Sequence, residues 1–469
     1  MVGYPVPVPT TKDDQPLLLP PRSLLFYIGS PKTGTTTVQL AAARAREKLL
    51  ANGVYYPGTG PDHRRQVYAF MGKRIQRAKT MVRGAKRSSA AETPSMSEWL
   101  ELMADIASQP DHRIFISCEE AARCSDALAA KFVHELGRER THIAITLRPP
   151  AAVLPSQWIE LLKGGQSLSF NSWLEQVYGK SDKSIPESMK LYLDMSGLVE
   201  RWAKVAGPGN VTVILSDRAN HDFLTDSFEQ LLGLPGHTLT GAVVGGDRTN
   251  RSMTFAEAEV FRAVNAEIYK PAELSWPLYL DVIQSGAIRR VLGHRNPSAD
   301  ERRVLMPEWA AEIAVREGES HAKRIAESGV RIVGDLASLY EAPRVATEEE
   351  SAAESNHRAI AVQALIGAMN GAAKSERDAT RQIAKAKSDA EAAIGQAYED
   401  RDRAQRERDE ARKLAAGVDS RSALSHHQAV PGAANAQAAA TSFTTKDLAR
   451  AIALRLSHRI FTGKSLELK

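Results

Sequence analysis

The chain of 469 residues is long enough for one large domain, or for two ordinary ones with extensions. Its 43% apolar and 25% charged residues are ordinary for a globular protein, and a net charge of +5 suits anionic ligands but is too small to indicate nucleic acid. Two cysteines, Cys118 and Cys124, exclude a disulfide framework and make a poor zinc site, and no apolar run reaches the roughly 18–20 residues of a membrane-spanning helix.

Residues 1–22 are rich in proline and lack the basic start and apolar core of a secretory signal, which predicts a disordered arm on a cytoplasmic protein. From 23 to 345, short apolar runs alternate with longer helical patterns. Strands are predicted at 24–28, 54–56, 113–117, 142–147 and 211–215, and helical segments at 254–267 and 299–327. Apolar strands separated by helices predict an α/β domain with a P-loop-type parallel sheet flanked by helices. In such a sheet ligands gather beyond the carboxyl ends of the strands, so the loops after Ile28, Ser117 and Leu147 should share one rim.

Past Glu341 the composition turns rich in Ala, Glu, Arg and Lys, predicting a C-terminal helical, coiled-coil-like extension over 346–415. Ile383, Ala390, Ala397, Ala404 and Ala411 recur every seven residues, but Lys387, Ile394, Arg401 and Arg408 spoil the companion seam position. A solvated helix is therefore expected ahead of weak helix pairing. A flexible linker follows over 416–442, then a basic amphipathic helix over 443–469 suited to docking on protein, self-association or peripheral membrane contact.

The chemistry concentrates in the run "SLLFYIGSPKTGTTTVQLAAA" from Ser23 to Ala43. A Walker A loop reads G-x-x-x-x-G-K-[ST]. Gly29 and Gly34 keep that spacing, yet Thr35 stands where the lysine belongs and Lys32 precedes the second glycine instead. A strand–loop–helix junction here directs backbone N–H groups at an anion, with Thr35, Thr36 and Thr37 adding hydroxyls and Lys32 a mobile charge. A magnesium nucleotide would call for an Asp after a later strand, but the 142–147 strand ends in Arg148. An arginine there suits a second phosphate, distinct from the group held by the loop.

"IGSPKTGTTTVQ" resembles the 5′-phosphosulfate loop of the sulfotransferases, P-K-x-G-T-T, and "LRPPAAVLPSQW" resembles their 3′-phosphate segment, with Arg148 and Ser156 on its two binding positions. "LLANGVYYPG" and "IFISCEE" look like stretches of the bacterial, carbohydrate-type members, and a looser similarity extends to Leu339 without entering the tail. Pro149 followed by Pro150 departs from the single proline more usual there. The resemblance implies sulfuryl transfer from 3′-phosphoadenosine 5′-phosphosulfate (PAPS) to a hydroxyl, with glycan the expected acceptor and no metal required. It places Pro31, Lys32, Thr33, Gly34, Thr35, Thr36 and Thr37 on the phosphosulfate, Lys32 on the oxygen that departs, and Arg148 with Ser156 on the 3′-phosphate.

An attacking hydroxyl needs a general base. His63, on a loop after the second strand, and Glu119, just beyond the third, are the two candidates, with Glu120 expected to face away. Arg64 and Arg65 could meet an anionic acceptor or lie in solvent. Trp158, Trp173 and Trp202 could stack on sugars, although core positions are the commoner use of large aromatics at helical spacing. A kinase with an irregular P-loop, or a non-catalytic protein working through its helical tail, stays open on the residues alone.

Overall fold

The computed structural model describes residues 17–30, 32–74, 93–217, 220–243, 251–268, 275–299, 301–346 and 357–422. It forms two compact units, one ending at Arg381 and one beginning at Gln382.

Six strands build the first unit: β1 (Leu24–Tyr27), β2 (Val54–Tyr55), β3 (Arg113–Ser117), β4 (Thr141–Leu147), β5 (Val211–Leu215) and β6 (Arg331–Val333). They pair in the order β2-β3-β1-β4-β5-β6, every pair parallel. Residues of β1, β4 and β5 are buried throughout, as a sheet covered on both faces requires. The pleat sends successive side chains to opposite faces. Leu24, Phe26, Ile114, Ile116, Ile143, Ile145 and Val213 join one core with the helices Asp126–Leu136, Pro150–Lys163 and Met195–Ala206. Leu25, Tyr27, Phe115, Ala144, Ile214 and Val333 face the other, packed on the helices Thr35–Arg44 and Phe223–Leu232.

Five of the six strands coincide with apolar runs in the sequence. β6 escaped notice because its three residues carry an arginine and only Val333 is fully covered. The helix expected over 299–327 starts later, at Glu308 behind Pro307, because Thr254 bridges to Arg303 and draws the preceding segment into extended form. The disorder expected over 1–22 does not hold for residues 17–22, and residues 1–16 lie outside the described residues. Leu17 and Leu19 are buried against Phe228 and its neighbours, and the Leu19 N–H donates to the Leu231 carbonyl.

The Ala-rich tail forms one helix, His357–Ser422, from residues of high helix propensity. Its first turns belong to the first unit, so that unit extends past the boundary expected at 345/346. Ile360 is fully buried, and Gly367 and Gly371 lie against the π-helical segment Leu280–Ile288. A Cβ at Gly367 would stand 2.5 Å from the Gly286 carbonyl, and one at Gly371 2.3 Å from that of Asp281. Only glycine permits backbones this close. In the second unit Ile383, Ile394 and Leu414 are exposed, and Arg403–Asp400 and Lys387–Glu391 form ion pairs along the surface. The linker expected from 416 begins inside this helix. Its remainder and the helix expected over 443–469 lie outside the described residues.

Candidate active site

β1 lies between β3 and β4, so the chain leaves it toward one side of the sheet and later returns on the other. A crevice opens at such a switch point, beyond the strand ends. The loop from Ile28 to Gly34 fills its edge. Gly29 has no room for a side chain: a Cβ would meet Thr146 Oγ1 and the Tyr27 ring at 2.5 Å. Lys32 and Gly34 both have left-handed backbone, φ 70° and 95°, which is costly for lysine and natural for glycine. Three bonds hold the loop in that shape. The Thr33 hydroxyl turns inward to the Ser30 carbonyl and the Thr146 hydroxyl, and Arg148 Nη1 donates to the Lys32 carbonyl at 2.7 Å.

Gly34 caps the helix that begins at Thr35; the Thr37 N–H donates back to the Gly34 carbonyl at 3.0 Å, and the positive end of the helix lies beside the loop. Thr36 and Thr37 are exposed there, whereas Thr35 is buried and donates its hydroxyl to Glu119 Oε2 at 2.8 Å. Deeper in, Gln39 Nε2 donates to Ser117 Oγ at 2.9 Å and ties the same helix to the end of β3. The three loops foreseen on one rim are thus joined through side chains, β1 to β3 by Thr35 and Glu119, and β1 to β4 by Arg148. Pro31 lies outside the described residues.

The paired prolines do no harm to the β4 junction. Pro149 is extended and Pro150 takes the first helical position, where a missing N–H costs nothing. Ser156 sits half-buried in the second turn, its hydroxyl returning to the Ala152 carbonyl at 3.3 Å. One turn further, Glu160 Oε1 meets Lys32 Nζ at 2.8 Å and Lys163 Nζ at 2.8 Å. Burial pushes the Glu160 carboxyl up, but Lys163 and Lys32 outweigh it and bring it down to about 2. The sequence reading missed Glu160 and Lys163. Their signal was the helical period, since Glu160 follows Ser156 by four residues and shares its face.

His63 is not placed as a base. Its ring is 2% exposed, Nδ1 accepts from the Ser117 N–H at 3.1 Å, and Nε2 faces the Pro57 carbonyl at 3.2 Å. One neutral tautomer, protonated at Nε2, satisfies both bonds and leaves no lone pair for a substrate. Burial lowers its pKa to about 4. His63 braces the loop after β2 against β3, edge-on to Tyr56. Glu119, by contrast, is partly exposed beside the loop helix. Glu120 is buried and pairs with Arg123.

Arg64 pairs with Asp62, and Arg65 grips Glu98 through two bonds of 2.7 and 2.9 Å. Trp158, Trp173 and Trp202 are core residues. Among the described residues, no group of three or more His, Cys, Asp and Glu could hold a metal ion, and no helix is long and apolar enough to cross a membrane.

No protein-family model matches this chain, and no curated protein matches it. A solved structure, that of a sulfotransferase from Alicyclobacillus acidocaldarius, is similar at 17% identity and a TM-score of 0.33, over 60% of this chain and 99% of that one.

Proposed function

We propose that the chain is a PAPS-dependent sulfotransferase that sulfates a hydroxyl, with a carbohydrate as acceptor. One observation carries the reading. Arg148 is bonded to the Lys32 carbonyl beside the N-terminus of the Thr35–Arg44 helix at the switch point of the sheet, where Arg148 stands at the strand end that would bear a metal-binding Asp in a P-loop NTPase.

In this reading the helix N-terminus and the Thr36 and Thr37 hydroxyls hold the 5′-phosphosulfate. The acceptor oxygen attacks sulfur, the bond from sulfur to the bridging oxygen breaks, and adenosine 3′,5′-bisphosphate departs with the electron pair. Lys32 stabilises the charge that grows on that bridging oxygen. Glu119 takes the acceptor proton, in place of the enclosed His63. It stands one hydrogen bond from Thr35, so the base and the anion site share a support. Arg148 and Ser156 select the 3′-phosphate, the arginine through its planar fork. The carbohydrate acceptor rests on the sequence resemblance alone, since the three tryptophans that could have stacked on sugar are core residues.

Calorimetry with adenosine 3′,5′-bisphosphate tests the donor site, and labelled PAPS offered with a panel of glycans tests the transfer. Micromolar binding and label transfer are expected. Magnesium-dependent ATP turnover without either would establish the kinase reading instead.

A further inference from the structure

Lys32 is the residue on which transfer depends, yet its ammonium is already engaged. Glu160 Oε1 lies 2.8 Å from it, and the same oxygen lies 2.8 Å from Lys163 Nζ. The carboxylate reaches across from the helix that also carries Ser156, so it comes from the wall of the donor site and not from the loop. From these contacts we infer that Glu160 is an internal anion that occupies Lys32 until the donor displaces it, with Lys163 sharing the carboxylate and loosening its hold. The inference rests on the donor reading above.

Three features support exchange over a fixed strut. First, the pair is only partly covered: side-chain exposure is 33% for Lys32 and 36% for Glu160. Such pairs are weak and easily exchanged. Second, Glu160 keeps its negative charge throughout the physiological range, because the two lysines bring its carboxyl down to about 2. It therefore competes with any anion for Lys32 at every working pH. Third, Lys163 lies 2.8 Å from Glu160, one turn away on the same helix, and stays when Lys32 leaves. Glu160 retains a partner when the donor arrives, so the exchange strands no charge. Apart from its ion pair with Glu160, Lys32 is held at its backbone, by Arg148 on its carbonyl, so breaking that pair lets the side chain swing while the loop stays in place.

The consequence concerns release as well as entry. Once the sulfuryl group has left, the same carboxylate can recapture Lys32 and help expel the product bisphosphate. Glu160 is accordingly a positioning residue that sets donor and product affinity through Lys32.

The test is calorimetry of adenosine 3′,5′-bisphosphate with the full chain and with Glu160→Gln, which keeps size and hydrogen bonding but removes the charge. Freeing Lys32 should tighten binding about fivefold at low salt, and the gain should fade at 0.5 M salt as exposed charges are screened. A purely structural ion pair would give the opposite sign, weaker binding. Lys163→Met should weaken binding in the parent chain and have no effect in the Glu160→Gln background. Equal loss in both backgrounds would overturn the shared carboxylate. Binding to the parent chain with no gain in Glu160→Gln overturns the inference and leaves the donor site standing. Absence of binding to both proteins overturns the donor reading and this inference with it.

Discussion

Replacing Arg148 with alanine separates its loop contact, seen in the structure, from the 3′-phosphate contact proposed above. Its Nη1 supports the loop through the Lys32 carbonyl at 2.7 Å, a contact that any ligand of the loop would feel. A hydrogen bond of this kind contributes about 1 kcal/mol, so its loss should weaken every adenine nucleotide by roughly fivefold. If the guanidinium also meets the 3′-phosphate, a charge-assisted bond of about 1.5–3 kcal/mol disappears as well, a further ten- to hundredfold or so. Titration of Arg148→Ala with adenosine 3′,5′-bisphosphate and with adenosine 5′-phosphate gives the two losses side by side. The bisphosphate should lose about ten times more, at the least, because the monophosphate never makes the second bond. Ser156→Ala should repeat the selectivity at about fivefold, as suits a neutral hydroxyl. A folding defect would weaken both ligands alike. Equal losses for the two nucleotides would therefore refute the 3′-phosphate role of Arg148 while leaving its loop contact intact.

Lys32→Ala should cut turnover by roughly a hundredfold or more and leave bisphosphate binding within about tenfold, since its proposed role is to meet charge that develops in the transition state; turnover within a few-fold of the parent chain would remove it from the mechanism. Glu119→Gln should lower kcat by roughly a hundredfold or more with bisphosphate binding unchanged, and turnover within a few-fold of the parent chain would exclude it as the proposed base. His63 has its own pH signature, in stability. Its pKa falls from about 6.5 unfolded to about 4 folded, so the neutral form is favoured by folding, and its contribution is full above pH 6.5 and lost as pH falls through 4. The loss approaches roughly 3 kcal/mol, and urea midpoints of the parent chain should drop more between pH 7 and 4.5 than those of His63→Gln; parallel drops would contradict the assignment. Truncation after Arg381 should leave a cooperative, bisphosphate-binding unit, whereas truncation after Ala346 should lower its melting temperature by uncovering Ala287 and the backbone at Gly286 and Asp281; equal melting temperatures would show that the first turns of the tail helix stabilise nothing.

The parallel sheet and its helices were legible because β1, β4 and β5 are buried on both faces, which forces continuous apolar runs into the sequence. The tail was legible as helix because its Ala, Glu, Lys and Arg favour that form without tertiary help. Gly29, Lys32 and Arg148 could be marked out by spacing, since each follows a strand end and the backbone places strand ends for them. Residues whose role depends on what lies across a gap could not be read this way. His63 and Glu119 looked alike as bases, and only the fold turned one into a brace between Pro57 and Ser117 and left the other beside Thr35. Glu160 looked like any charge on a helix until the loop carried Lys32 to it. The same holds for Gly286, Gly367 and Gly371, which are unremarkable in sequence and become necessary where two backbones touch. Local propensity and two-sided burial act on neighbours along the chain and leave a periodic trace. Desolvation, ion pairing and close backbone approach act between residues far apart in sequence, and only the tertiary structure brings those together.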